Sequence, residues 1–156
     1  MLVAINHAAD KGRARIELAD LGFEPQYACD LVTGERIKTR RSGAQTVLDL
    51  ELDDRSARLI GLYPEAVTGH ELEFDSPALA RGARLKYTVR IKGEHATPAP
   101  GHHVVEVTVT DPNGIVQPRY GSLLATTDGV LVRDVPLAVN AAKGKWTVHV
   151  RTPYVK

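Results

Sequence analysis

The sequence predicts an all-β protein built from two antiparallel β-sandwich modules. Three observations predict this fold class. Apolar and polar side chains alternate residue by residue in many segments, which is the pattern of a half-buried strand. Residues that turn a backbone easily separate these segments at intervals of about 8 to 15 residues, the spacing of hairpins and sandwich loops. No long segment sustains the apolar period of a helix.

The strands of the first module follow from this alternation. Residues 2–5 (LVAI) form a short apolar strand at the start of the chain. In residues 13–19 the apolar side chains fall on one face and the charged ones on the other, and residues 48–52 repeat the pattern with three leucines. A last strand at residues 58–63 ends before Pro64. Between these strands, turns are predicted at Thr33-Gly34 and Asp53-Asp54.

The second module repeats the same pattern. Residues 84–91, 105–109 and 146–151 alternate, and the alternation places the single tryptophan, Trp146, on the apolar face as a core residue. A short helical turn is allowed at residues 77–80, but no long helix is predicted. Turns are predicted at residues 111–114 (DPNG), Asp128-Gly129 and Lys143-Gly144.

The module boundary is predicted after Pro64, which gives modules at residues 1–64 and 65–156. With six predicted strands, the first buries too little surface to be stable alone, so it should lean on a neighbour. The second, with seven predicted strands, has the size of an immunoglobulin-like sandwich and should fold independently.

Composition excludes several partners. The chain has 156 residues with 20 basic and 19 acidic side chains interspersed, so no basic stripe favours nucleic acid. No membrane span and no export signal is visible, and the single cysteine excludes an internal disulfide without assigning a compartment. Because an apolar strand begins immediately after Met1, we expect the natural chain to continue upstream.

Three histidines gather around a proline-containing loop. His95, His102 and His103 lie near Glu94, and imidazoles with a carboxylate could bind zinc. Adjacent residues of an extended strand point to opposite faces, however, so His102 and His103 are poorly placed to share one ion. We therefore predict a solvated loop, with no metal site and no cofactor.

The carboxylates and the cysteine have structural explanations. Asp53 and Asp54 could serve glycoside hydrolysis, but their position predicts a turn in which an aspartate caps its own backbone. The pairs Asp49 with Glu51 and Glu71 with Glu73 each occupy one solvent-facing strand face. Cys29 alternates with Tyr27 and Leu31, which predicts a buried thiol. No nucleophile with a base, and no phosphate-binding loop at Thr33-Gly34-Glu35 or Lys143-Gly144-Lys145, is indicated, so no catalytic residue is predicted.

Exposed aromatic rings are the usual sugar-binding groups of a β-sandwich. Trp146 and Tyr87 lie on apolar faces, which leaves Tyr27, Tyr63, Tyr120 and Tyr154 as candidate platforms. Tyr120, beside Gly121 in a predicted loop, is the best candidate for a ligand role.

Three segments of the first module carry a family resemblance: residues 27–35 (YACDLVTGE), 46–52 (TVLDLEL) and 58–64 (RLIGLYP). Together they resemble the small C-terminal antiparallel domain behind many glycoside hydrolase barrels, notably β-galactosidase-like enzymes. Residues 2–7 (LVAINH) look like the first strand of such a domain. The resemblance implies that this module packs on an upstream catalytic domain of the same chain.

The second module carries another resemblance, at residues 86–89 (KYTV), 107–114 (VTVTDPNG) and 144–150 (GKWTVHV). These segments resemble macroglobulin-like and related bacterial immunoglobulin-like sandwiches, which carry an Asp-Pro-x-Gly turn and a late Gly-x-Trp-x-Val strand. The resemblance implies a spacer or docking role and no catalytic residues.

The expected function is a non-catalytic accessory region of a larger carbohydrate-active enzyme, a glycoside hydrolase, whose parent protein would be secreted or envelope-associated. One alternative is an autonomous carbohydrate-binding module, which would lose glycan binding on Tyr120→Ala. Another is an adhesion or assembly protein unrelated to sugars. The partners expected are therefore the upstream domain, a polysaccharide or another protein.

Overall fold

The computed structural model describes residues 1–155, which contain thirteen β-strands and no helix. The prediction of an all-β protein is confirmed, and every pair of neighbouring strands runs antiparallel. The chain divides into two compact units. Unit 1 holds Met1–Ala66 together with the residues that follow Thr152, and unit 2 holds Val67–Thr152.

Unit 1 contains two sheets. One has the strand order β1-β7-β3-β4 and the other the order β2-β6-β5. The strands are β1 (Leu2–Ile5), β2 (Gly12–Leu18), β3 (Tyr27–Asp30), β4 (Arg36–Ile37), β5 (Thr39–Ser42), β6 (Gln45–Leu52) and β7 (Ala57–Tyr63).

Both sheets of unit 1 supply side chains to one buried cluster. Leu48, Leu50 and Leu52 of β6 meet Ile60 of β7 there, and Asp49 and Glu51 between the leucines are exposed. Further cluster members come from three other strands of the first sheet: Ala4, Ala28 and Ile37. The alternation read from the sequence thus selects the apolar face of β6 correctly, because successive side chains of a strand point to opposite faces.

Unit 2 also contains two sheets, with strand orders β12-β9-β8 and β11-β10-β13. The strands are β8 (Val67–Phe74), β9 (Arg84–Gly93), β10 (Val104–Thr110), β11 (Ser122–Ala125), β12 (Val130–Pro136) and β13 (Thr147–Arg151). Their buried side chains alternate as predicted on β9 (Leu85, Tyr87, Val89, Ile91) and on β10 (Val105, Val107, Val109).

The turn before β12 depends on a glycine. Gly129 has a φ of +71°, and a Cβ atom there would lie 2.2 Å from the Ala99 carbonyl oxygen. Its amide donates to Gly101, and its carbonyl accepts from Ile91. The predicted Asp128-Gly129 turn therefore fixes the approach of the proline-containing loop to β9, since no other residue fits such a close backbone contact.

Several details differ from the predictions. Unit 1 has seven strands and unit 2 has six, whereas six and seven were expected. The sequence analysis assigned no strand to the short β4 and β5, because their charged sequence RIKTRRS at residues 36–42 gives no apolar alternation. Residues 77–80 form no helical turn; the Ser76 hydroxyl binds the Ala78 carbonyl instead, at 2.8 Å. No helix of the described residues could cross a membrane.

The end of the chain belongs to unit 1. Residues after Thr152, which the sequence analysis placed in the second module, pack on the first sheet of unit 1, where the Tyr154 ring stacks on Tyr63 with ring centroids 5.5 Å apart. Gly34 lies close to the same segment, because a Cβ atom added at Gly34 would lie 3.0 Å from the Pro153 carbonyl oxygen. Unit 1 is therefore discontinuous in sequence, with all of unit 2 between its two parts.

Candidate docking surface

The histidines near the proline-containing loop hold backbone groups. His103 is buried, and its Nε2 lies 3.1 Å from the Pro100 carbonyl oxygen, while Nδ1 of the exposed His102 lies 2.9 Å from the Thr126 carbonyl oxygen. Each of these nitrogens must donate, because a carbonyl oxygen only accepts. Across residues 1–155 no three metal-ligating side chains gather in one place. The two imidazoles thus fasten the loop to its neighbours.

The carboxylates singled out in the sequence form surface ion pairs. The Asp53 carboxylate lies 2.8 Å from Lys11 Nζ, and the predicted capping of its own turn by this side chain is wrong; the Asp53 carbonyl oxygen accepts from the Ser56 hydroxyl instead. The others pair across strands: Asp49 with Arg40, Glu51 with Arg13, Glu71 with Lys92 and Glu73 with Arg90. Each of these acids is thus held by its own cation on a strand face, and the ion pairs do not bring two of these acids together in one cleft.

Sequence reasoning missed a shielded ion cluster in unit 1. Asp30 accepts from Arg58 Nε at 2.8 Å and from the amides of Val32 and Thr33 at 2.9 Å each. Arg58 also donates to Glu35 at 2.6 Å. Burial alone would raise the pKa of Asp30, but the bonds from Arg58 and the two amides outweigh it and lower that pKa. The sequence did contain a clue to this cluster: Arg58 occupies a position of β7 at which the alternation calls for an apolar side chain.

The thiol and two tyrosines form a second buried cluster. Cys29 is fully buried, as predicted, and burial raises its pKa to about 12, so it carries no thiolate at neutral pH. Tyr63 and Tyr154 are buried as well, and the expectation that they are exposed platforms is wrong. Gly61 makes room for Tyr63, because a Cβ atom at Gly61 would lie 2.7 Å from the Tyr63 ring. Tyr27 alone of the four is half-exposed, with the Arg36 guanidinium 5.4 Å from its ring centre.

Tyr120 is not the exposed platform that the sequence suggested. Only 4% of its surface is exposed. Its hydroxyl accepts from the Ala138 amide at 3.0 Å, its ring meets Trp146 edge-on at 5.8 Å, and the Arg119 guanidinium lies 4.4 Å above it. With its surroundings filled in this way, the ring is unable to stack on a sugar, and the carbohydrate-binding role assigned to Tyr120 is corrected to a structural one.

One surface without an internal role is the outer side of β1. This strand is the last of its sheet. Leu2 and Ala4 point into the core, while Val3 and Ile5 face the other way with 51% and 55% of their surface exposed. Met1, directly before the strand, is 84% exposed. An edge strand also leaves every second pair of its backbone groups free of the sheet.

The outer face of the first sheet is covered over β3 and β7 but remains uncovered along β1. Over β3 and β7 the face carries Cys29, Gly61 and Tyr63, which the chain buries with Tyr154. Along β1 it carries Val3 and Ile5, whose cross-strand neighbours are Leu59 and Ala57. We call Met1, Val3, Ile5, Ala57 and Leu59 the β1 surface. It combines backbone groups that have no partner in the sheet with a row of apolar side chains, and this combination is typical of a protein interface.

No protein-family model and no curated protein matches the sequence.

Proposed function

We propose that this chain is a non-catalytic accessory region of a larger carbohydrate-active enzyme, a glycoside hydrolase, and that unit 1 docks on the catalytic domain through the β1 surface. The observation that carries the docking role is the exposure of Val3 and Ile5 side by side on an edge strand. Unit 2 serves in this proposal as a spacer or a second docking module.

Leaving the apolar side chains of this surface in water is unfavourable. Apolar side chains on an edge strand favour pairing with another chain, and native proteins usually charge, shorten or cover such edges. The β1 surface has no charged side chain among its five members. The second sheet of unit 1 instead carries ion pairs such as Arg13 with Glu51 and Arg40 with Asp49. A permanent neighbour is the simplest cover for the remaining row.

The choice of neighbour rests on the resemblance of residues 1–64 to the antiparallel domains that follow glycoside hydrolase barrels. A catalytic domain that supplies its own acids is consistent with this chain, whose acidic side chains at Asp30, Asp49, Asp53 and Glu51 are engaged in ion pairs.

The test places Val3→Lys with Ile5→Lys in the parent protein encoded by the natural reading frame. We expect the melting temperature of the catalytic domain to fall by several degrees, while the isolated chain keeps its fold. The matched control is Phe23→Lys with Val32→Lys, since both residues are exposed in unit 1, at 44% and 75%, outside the β1 surface. Equal melting temperatures for the double variant and the control would refute docking through β1.

The enzymatic part of the proposal has its own test. The parent protein should hydrolyse glycosides, and the isolated chain should release no product from aryl glycosides or soluble polysaccharides. A parent reading frame without a glycoside-cleaving domain would refute the carbohydrate assignment, and hydrolysis by the isolated chain would refute the accessory role.

A further inference from the structure

Unit 2 contains an apolar cavity of about 500 Å³. Side chains from both sheets line it, including Leu85 of β9, Val109 of β10 and Val148 of β13. Phe74 and Trp146 lie at its wall, and both are partly exposed. The volume falls within the range of about 300 to 1,000 Å³ that is typical of small-molecule sites.

The cavity wall is held in place by specific contacts. Trp146 Nε1 donates to the Ala142 carbonyl oxygen at 3.0 Å, which closes the loop before β13. Tyr120 meets the indole edge-on and is itself fixed to the Ala138 amide. Gly144, at a φ of +136°, passes so close to Pro112 that a Cβ atom there would lie 2.8 Å away. The loop therefore has a defined conformation beside the cavity, which favours a preformed site.

The charged groups at the cavity are all cationic. Arg81, Lys143 and Lys145 are exposed members of the lining, and the lining includes no acidic side chain. None of the three takes part in an ion pair within the described residues. Four other cations of unit 2 do so: Arg84 with Asp134, Arg90 with Glu73, Lys92 with Glu71 and Arg151 with Glu106. The positive charge at the rim is thus left without a counter-charge.

We propose that this cavity binds a small amphipathic anion, an apolar chain carrying a carboxylate. The chain lies against Leu85, Val109 and Trp146, and the carboxylate lies at the rim beside Lys143 and Lys145. Apolar burial supplies affinity, and the unpaired cations select the sign of the head group. This site is independent of the docking proposed for unit 1, because all of its residues belong to Val67–Thr152.

The test uses the single tryptophan of the chain as the reporter, since Trp146 lines the cavity. Decanoate is titrated into the whole protein below its micelle concentration, and decyltrimethylammonium provides a chain of the same length with the opposite charge. We expect a saturable change in Trp146 fluorescence with decanoate. The affinity for decyltrimethylammonium should be weaker by at least about tenfold, a ratio large enough to show that the two ligands differ in binding free energy. Equal affinities, or no saturable signal with decanoate, would overturn the proposal.

A charge reversal localises the head group. Lys143→Glu with Lys145→Glu should weaken decanoate binding by at least about tenfold, because like charges at the rim then repel the carboxylate. Lys38→Glu together with Arg55→Glu is the control: both are exposed residues of unit 1 outside the cavity lining, and they make the same change in net charge. Both lysines of the cavity variant lie on the surface, so the far-ultraviolet circular dichroism should be unchanged. Equal weakening by the two double variants would overturn the assignment of the site.

Discussion

At the scale of single residues, the Asp30–Arg58 pair differs from the other ion pairs of unit 1 in its shielding from water. The two side chains are only 4% and 17% exposed, whereas those of Glu51 and Arg13 are 80% and 87% exposed. A shielded charge that loses its partner keeps the cost of its desolvation. An exposed charge that loses its partner is simply hydrated by water.

We predict that Arg58→Ala lowers the free energy of unfolding of unit 1 by about 3 kcal/mol, since it leaves the buried Asp30 carboxylate with two backbone amides but no positive partner. Arg13→Ala, the matched control, should cost less than about 1 kcal/mol. Urea unfolding followed by pulse labelling of Cys29 measures both, because the thiol lies in unit 1 and is fully buried. Similar costs for the two variants would show that the Arg58 pair is screened like a surface pair.

The same carboxylate should make the stability of unit 1 depend on pH. The pKa of Asp30 is lowered in the folded state relative to its unfolded value of about 3.9. Its contribution is therefore present above pH 4 or so, and it is lost as the pH falls through the folded pKa. We predict that Asp30→Asn is less stable than the unchanged chain at pH 7 and that the difference shrinks towards pH 2. Urea midpoints across this range test it; a difference that is constant with pH would contradict it.

At the scale of elements, the segment after Thr152 completes the outer side of the first sheet. Its Tyr154 covers Tyr63, and Cys29 lies buried on the same face. We predict that Tyr154→Ala destabilises unit 1 by about 3 kcal/mol, the usual cost of removing a buried ring, and accelerates thiol labelling of Cys29. Trp146 fluorescence, which reports unit 2, should be unchanged.

The matched variant Tyr154→Phe keeps the ring and removes the hydroxyl. We expect it to cost about 1 kcal/mol, because the ring contact with Tyr63 stays and the hydrogen bond to Tyr63 is lost. If both variants label Cys29 at the rate of the unchanged chain, the C-terminal segment does not protect the thiol.

The elements show why sequence reasoning succeeded for strands and failed for the tyrosines. Alternation sets the buried faces of β6, β9 and β10, because each of these strands packs one face against apolar neighbours. The burial of Tyr63, by contrast, depends on Gly61 beneath it and on Tyr154, which is distant in the chain. Asp30 and Arg58 are likewise brought together only by the pairing of β3 with β7. Such partners follow from topology, which local sequence patterns do not specify.

At the scale of the whole molecule, the important feature is how the two units are distributed along the sequence. Unit 2 is continuous from Val67 to Thr152, and unit 1 requires residues from both ends of the chain. Each unit also carries one natural probe, Cys29 in unit 1 and Trp146 in unit 2. The folding of the two units can therefore be followed separately in the same sample.

This arrangement predicts different behaviour for two fragments. A fragment of residues 67–152 holds every strand of both sheets of unit 2, so it should fold alone with the Trp146 emission of the whole chain. A fragment of residues 1–66 retains its seven strands but lacks the Tyr154 cover, so reagent should label its Cys29 much faster than in the whole chain. A third fragment, residues 1–66 joined by a short glycine-rich linker to residues 153–156, should restore protection of the thiol. Slow labelling of Cys29 in residues 1–66 alone would show that unit 1 closes without the end of the chain.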